Sequence, residues 1–278
     1  TIYEADHLGV AKVTAAGELC RRINPEVQVT THQATIAEVE SDLAEMCDAG
    51  RPMEEVVREL DENGDIVMEF SILKSILKSP YAKRIDQSCN PCDPTHANNI
   101  ILVNQELADA VDIAEKGDYL ISMRSLSAVG LFSRKDGACK RLYFGSFFKQ
   151  HSVQHAGGSH VLLFDNLGMS GSNGPSRVLA YDLNTHQEKV VYPSPRIPEQ
   201  YNNLFSENGS VVRVSRDRSR ILVLFAKAGR GLEIDLETGK ALRLFKNIHD
   251  VEDAGDFPEE KSRNHAALFR FNDIHFLD

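Results

Sequence analysis

Four histidines stand at matching places in the sequence, each just ahead of an apolar, strand-like segment. The segments begin THQATIAEV, THANNIILV, QHAGGSHVLLF and NHAALFRF, and their histidines are His32, His96, His155 and His265. A fifth segment of the same form, SENGSVVRV, has no histidine. A single histidine is more often a hydrogen-bonded structural residue than a ligand or nucleophile. Recurrence at four places favours one shared site.

Converging imidazoles support two kinds of chemistry. Four neutral histidines can hold a transition metal such as iron. Alternatively, one imidazole is a nucleophile while a cation and amide donors stabilise a transferring anionic group. Asn98 lies two positions after His96 on the same strand face, and Arg124 lies inside the otherwise apolar GDYLISMRSL, where only Asp118 could pair with it. Because a buried guanidinium needs an anionic partner, an anion-transfer site is favoured and the metal site is the alternative.

The elements that would position these residues repeat along the chain. Each repeat ends in a hairpin of alternating apolar strands, and turns such as DENG, RKDG and LETG carry a glycine that accepts positive φ. One or two further apolar strands precede each hairpin, which gives four strands per unit of roughly fifty residues. Such units bury both faces by stacking radially, so the spacing predicts a β-propeller rather than an irregular β-sandwich. The hairpins are expected at 9–23, 56–70, 128–144, 178–192 and 231–245.

The two termini would complete the ring. Residues 265–278 resemble inner strands without an outer hairpin, and residues 1–23 resemble outer strands without an inner pair. We therefore expect an all-β fold, a five- or six-bladed β-propeller of four-stranded antiparallel blades, closed by pairing of the N- and C-terminal strands. The innermost strands of a propeller line its central channel, so the four histidines would meet there. The chain, 1–278, is expected to be a single domain with insertions near 71–94, 104–117 and 246–264.

Composition narrows the classes of partner. The net charge is −10 at pH 7 and no cluster of Lys and Arg offsets it, which argues against binding of nucleic acid. No apolar run is long enough for a transmembrane helix. Cys89 and Cys92 form the one close cysteine pair, CNPC, which permits a loop disulfide; without a second CxxC, zinc is not expected.

Several segments together resemble the arylsulfotransferase family, which includes the bacterial aryl-sulfate sulfotransferases. They are HANNIILV, GDYLISMRSLSAVGLFSRKDG, KQHSVQHAGGSHVLLFDN and SRVLAYDL, and the similarity is clearest over 95–183 and weaker over 27–70. The resemblance implies PAPS-independent transfer of a sulfuryl group from an aryl sulfate to a phenol, with no cofactor. It implies an extracytoplasmic or organelle-lumen location, and we expect the separate N-terminal domain of the bacterial enzymes to be missing.

The resemblance also implies roles for the candidate residues. His155, in a QH motif, would carry the sulfuryl group covalently, while His96, Arg124 and His32 complete the catalytic set. Asn98 would bind substrate. His265 is a second candidate for substrate binding, because it belongs to the repeated pattern of histidines.

Departures from the family pattern keep a second function open. Ala156 and two glycines follow His155 where the family commonly has Asp or Thr, and the outer strands lack the usual Trp. A propeller without chemistry, acting as a binding or structural subunit of a larger assembly, is therefore the alternative, since fold does not determine function. Expected partners are an aryl sulfate donor and a phenolic acceptor for the enzyme, or other proteins for the subunit.

Overall fold

The computed structural model describes residues 54–166 and 174–246. In these ranges the chain forms one two-stranded and three four-stranded antiparallel sheets. The two-stranded sheet contains β1 (Val56–Leu60) and β2 (Ile66–Ser71). The first four-stranded sheet contains β3 (Ala97–Leu102), β4 (Tyr119–Met123), β5 (Ala128–Phe132) and β6 (Cys139–Tyr143). The second contains β7 (His151–Gly157), β8 (His160–Asp165), β9 (Arg177–Asp182) and β10 (Glu188–Tyr192). The third contains β11 (Val211–Val214), β12 (Arg220–Phe225), β13 (Arg230–Asp235) and β14 (Ala241–Lys246).

Short helices occupy the connections of the described part. They are α1 (Ile72–Leu77), a 3-10 helix (Ala82–Gln87), α2 (Gln105–Ala110) and α3 (Glu199–Asn202). Ser71 caps α1 by accepting from the amide of Lys74 at 3.1 Å, and Asn104 caps α2 by accepting from Leu107 at 2.9 Å. None of these helices is long and apolar enough to cross a membrane.

Each four-stranded sheet is an antiparallel meander in which neighbouring strands follow one another in sequence. The first strand of one sheet contacts the first strand of the next, so β7 contacts both β3 and β11. The predicted four-stranded units are thereby confirmed, as are the hairpins at 56–70, 128–144, 178–192 and 231–245. The number of blades and the ring closure depend on residues outside the described ranges, as does the hairpin at 9–23, and stay predictions.

Strand β8 explains why adjacent sheets hold each other in place. Its side chains alternate, so that Val161 and Leu163 pack in the cluster shared with the preceding sheet, while Leu162 and Phe164 pack against the following sheet. All four are at most 2% exposed. A sheet buried on both faces cannot shift without opening two cores, so the innermost strands are fixed relative to one another.

One expectation about the second sheet was wrong. The segment QHAGGSHVLLF was predicted to open with His155 as one innermost strand, whereas it spans two strands joined by a tight turn. Gly157 pairs with His160 across that turn, and Gly157 and Gly158 have φ of +117° and +53°, a region that favours glycine. The innermost strand is β7, and His151 opens it.

Candidate active site

The site is built where the innermost strands begin. His96 directly precedes β3 and His151 is the first residue of β7. Asn98 holds these two beginnings together, since its side-chain Nδ2 donates to the carbonyl of Gln150 at 2.9 Å. Arg124 follows β4, and its backbone amide donates to the carbonyl of His96 at 3.0 Å. His96, His151 and Arg124 are thus brought to one edge of two adjacent sheets.

The amide of Asn166 determines which nitrogen of His151 carries the proton. Asn166 is fully buried, and its Nδ2 donates to the carbonyls of Ser206 at 2.8 Å and Gly209 at 2.9 Å. Its Oδ1 therefore faces His151, whose Nδ1 lies 2.6 Å away. A carbonyl oxygen only accepts, so Nδ1 bears the hydrogen and Nε2 of the neutral ring keeps its lone pair.

His151 is also held in its neutral form. Burial is the main cause that lowers the pKa of His151 to about 4, from an ordinary value of 6.5. Electrostatic interactions with Arg124 and His96 lower it further, whereas the hydrogen bond to Asn166 and the carbonyl of Lys149 oppose this. At neutral pH the ring is an uncharged base with a fixed tautomer, which is the form that attacks an electrophile.

Arg124 presents a guanidinium that needs an anion. Its Nη2 donates to Oδ1 of Asn208 at 3.0 Å, and no carboxylate in the described ranges forms an ion pair with it. Asp118, the one partner suggested by the sequence, instead accepts from Lys140 Nζ at 2.8 Å. A hydrogen bond to an amide does not neutralise the charge of Arg124, so the arrangement favours an anionic ligand.

Two lysines lie near the same carboxylate, Glu207, as Arg124. Lys227 donates to Glu207 at 2.9 Å and is the main cause that lowers the pKa of Glu207; the charges of Lys149 and Arg124 contribute less. One carboxylate is therefore shared by three cations. The resulting positive field would attract an anionic ligand.

The backbone around the site is strained at residues other than glycine. Positive φ occurs at His96 (44°), Lys149 (53°) and Ser152 (57°), of which the last two flank His151. The register of β7 against β8 shifts between His151 and Val153, so a bulge at Ser152 turns His151 away from the regular pleat. Such conformations cost about 1–3 kcal/mol each and cluster at functional sites.

His155 belongs to a different group of residues, near the other end of β7. Its Nδ1 lies 3.0 Å from Nδ2 of Asn104, and its Nε2 lies 3.0 Å from the carbonyl of Gly158. Asn104 thus donates to Nδ1 and the ring donates from Nε2, so neither nitrogen has a free lone pair. Glu106 accepts from the Gly158 amide and from both terminal nitrogens of Arg218, which links three sheets beside His155.

The metal alternative gains no support from the described residues. Within 54–166 and 174–246, no group of three or more His, Cys, Asp or Glu side chains is placed to hold a metal ion. His32 and His265 lie outside these ranges.

Comparison with known proteins identifies the family. The family model described as Arylsulfotransferase (ASST) matches residues 25–243. The chain belongs to this arylsulfotransferase family. The family resemblance inferred from the sequence is thus confirmed, and a search of the curated proteins found no match.

Solved structures similar to this arylsulfotransferase-family chain share little sequence with it. Hydrazine synthase of Kuenenia stuttgartiensis is 14% identical with a TM-score of 0.33, over 46% of this chain and 32% of that chain. The Dos1 propeller is 12% identical with a TM-score of 0.42, over 70% and 43%. Virginiamycin B lyase from Staphylococcus aureus is 13% identical with a TM-score of 0.37, over 67% and 47%. The chain thus spans less than half of each of these structures.

Sequence reasoning about this arylsulfotransferase-family chain did not include three residues of the candidate site. His151 and Asn166 were both visible in the matched segment KQHSVQHAGGSHVLLFDN, which contains two QH pairs four residues apart. The second pair was chosen because its histidine aligned with His32, His96 and His265 and matched the QH motif of the family. Asn208 carried no signal, because its contact with Arg124 spans 84 residues of sequence.

Proposed function

We propose that the protein transfers a sulfuryl group from an aryl sulfate to a phenol through a sulfohistidine, without PAPS. The observation that supports this most directly is the Nε2 lone pair of His151, on a ring whose tautomer is fixed by Asn166 and whose pKa is about 4. In this proposal His151 takes the role that the sequence suggested for His155, while His96 and Arg124 keep theirs.

The first half-reaction forms a bond between nitrogen and sulfur. His151 Nε2 attacks the sulfur of the aryl sulfate, the bond from sulfur to the aryl oxygen breaks, and a phenolate leaves. His96 supplies the proton that converts the phenolate to a phenol. Nδ1–H of His151 stays bonded to Asn166 Oδ1, which stabilises the positive charge that develops on the ring.

The second half-reaction reverses these roles with a different phenol. His96 accepts the proton of the acceptor hydroxyl, and the phenol oxygen attacks the sulfur of the sulfohistidine. The nitrogen–sulfur bond breaks and returns its electron pair to Nε2. Donor sulfate ester and acceptor phenol are thereby converted into donor phenol and acceptor sulfate ester, with no net loss of charge or atoms.

Arg124 acts on the non-bridging oxygens of the sulfuryl group. These oxygens carry negative charge throughout, and a guanidinium can donate two parallel hydrogen bonds to them. Asn208 accepts a hydrogen bond from Nη2 and so restricts the orientation of the guanidinium. This division between positioning and charge stabilisation resembles that of phosphoryl transfer.

Trapping the intermediate tests the proposal. The full chain is incubated with 4-nitrophenyl sulfate, quenched at alkaline pH, where a sulfated imidazole is expected to survive best, and analysed by peptide mass spectrometry. We expect nitrophenolate release with an adduct on His151 that disappears in His151→Ala. His155→Ala, a histidine change in the same strand, is the matched control and should keep the adduct.

The other outcomes assign different functions. An adduct on His155 would restore the original assignment and refute the role of His151. If the wild-type chain releases no nitrophenolate and forms no adduct, while still binding a sulfate ester by calorimetry, the non-catalytic binding alternative is supported instead.

A further inference from the structure

The carboxylate of Asp93 stands directly behind the imidazole of His96. Its Oδ2 is hydrogen-bonded to His96 Nδ1. The Asp93 side chain is only 14% exposed whereas that of His96 is 41% exposed, so the carboxylate is covered and the ring faces the open side. The other carboxylate oxygen, Oδ1, is buried and has no hydrogen-bond partner in the described ranges.

The buried, unbonded oxygen of Asp93 lowers the stability of the fold. Burying a carboxylate oxygen without a donor opposes folding, because the water that it loses is not replaced. Leaving such a group in place therefore suggests a role beyond stability. His96 itself adopts a φ of +44°, which brings its ring back towards Asp93 only three residues earlier.

The segment that carries Asp93 is fixed against the turn that carries Arg124. Ser88 Oγ donates to the carbonyl of Pro94 at 2.9 Å, and the Asp93 amide donates to Asn90 at 3.2 Å. The amide of Cys89 donates to the carbonyl of Ser125, the residue after Arg124, at 3.0 Å. The carboxylate is thus held on a rigid support and would not follow the ring if the ring moved.

We infer that Asp93 is the positioning residue of a carboxylate–imidazole pair, in which it fixes the hydrogen of His96 on Nδ1 and directs Nε2 towards the phenol oxygen. This inference rests on the proposed sulfuryl transfer. An ionised carboxylate accepts only, so Nδ1 must carry the hydrogen and Nε2 is the nitrogen that exchanges protons. The negative charge stabilises the imidazolium that exists while His96 holds the proton.

Among the charged groups described around His96, Asp93 is the one that accepts a hydrogen bond from the ring. Glu55 is the second nearby carboxylate, but its Oε2 accepts from Thr95 Oγ1 and from the amide of Ala97, both at 2.6 Å. It therefore anchors the backbone on either side of His96 rather than the ring. The cations near His96 are Arg124 and, when protonated, His151, and neither can accept a hydrogen bond from Nδ1.

Two sulfate donors with different leaving groups distinguish a positioning role of Asp93 from a purely structural one. The phenolate of phenyl sulfate is more basic than that of 4-nitrophenyl sulfate, and so depends more on being protonated as it leaves. In Asp93→Asn we expect kcat to fall at least tenfold for phenyl sulfate and only about twofold to threefold for 4-nitrophenyl sulfate, with little change in KM. Asp93→Glu should recover part of the loss, and Asp86→Asn, which changes an exposed aspartate of the nearby 3-10 helix, should match the wild type.

A second measurement does not depend on activity. Nitrogen chemical shifts of the His96 ring, measured by NMR at about pH 8, should show hydrogen on Nδ1 in the wild type and a mixture of both tautomers in Asp93→Asn. If the wild type shows this tautomer but transfers no sulfuryl group, the proposed function fails while the pairing of Asp93 with His96 stands. Equal losses for the two donors, or a wild-type ring with its hydrogen on Nε2, would overturn the inference.

Discussion

Removing the imidazole of His151 should make folding less sensitive to mild acid. In the folded protein, burial above all lowers the pKa of His151 to about 4, whereas the ordinary value of 6.5 returns on unfolding. Between these values the unfolded chain binds a proton that the folded chain does not. The free energy of unfolding therefore falls as the pH drops through this window. Only above pH 6.5 does the buried His151 not lower it, because the ring is then neutral in both states.

The size of the effect follows from the same two values. Each pKa unit corresponds to about 1.4 kcal/mol, so the penalty approaches about 3 kcal/mol below pH 4 and is about 2 kcal/mol at pH 5. We expect His151→Gln to escape this penalty because its amide does not titrate. Its side-chain NH₂ can still donate to Asn166, which limits other damage to the fold.

Urea unfolding of wild type and His151→Gln at pH 7 and pH 5 measures the effect. Other titrating groups cancel in the comparison, so the difference in unfolding free energy between the two proteins should shift by about 2 kcal/mol in favour of the variant. An NMR titration of the His151 ring gives an independent midpoint, expected near pH 4. Parallel stability profiles together with a midpoint near the ordinary value would refute the argument that His151 is held neutral.

Three further changes test other parts of the structure. Arg124→Lys should weaken binding of an aryl sulfate by about tenfold in calorimetry, with little change in unfolding free energy. The reason is that the lysine ammonium is a point charge and cannot replace the two parallel hydrogen bonds of a guanidinium. A mainly unfolded variant would mean that Arg124 is structural. Asp165→Asn should lower the unfolding free energy by about 3 kcal/mol, since it leaves Arg177 without its buried carboxylate; a loss below about 1 kcal/mol would contradict this. Burial raises the pKa of Cys139 to about 12, so iodoacetamide at about pH 8 should modify the exposed Cys89 and spare Cys139 in peptide maps; equal labelling would show that the sheet opens.

The hairpins could be predicted from the sequence because their signals are local. Alternating apolar residues define each strand, and a turn such as RKDG lies between β5 and β6 where it was expected. The helix α1 has an equally local signal, because its apolar residues recur at helical spacing before Pro80. These features depend on residues close in sequence, and they required no knowledge of how the sheets pack.

The site could be predicted only in part because its register depends on one turn. His96 and Arg124 flank strands with strong apolar patterns, so their positions followed from the pattern. The innermost strand was predicted to open at His155 instead of His151, because Gly157 and Gly158 were interpreted as part of the strand opening, whereas they make its tight turn. Partners such as Asn208 come from the connection that precedes another sheet, and single-sequence patterns contain no information on such contacts.

The hydrogen bonds of Ser152 indicate at which stage of folding the site can form. Its hydroxyl donates to the carbonyl of Val212 at 3.0 Å and accepts from the Val212 amide at 3.1 Å, a bridge between sheets across 60 residues of sequence. Sheets can form individually from local hairpins, but bridges of this kind form only after docking, and long-range closure is slow. Refolding should therefore restore the β-sheet signal before it restores the sulfate-ester binding that the proposed function requires. A ligand that recognises only the docked sheets would in turn protect the Val212 amide from hydrogen exchange.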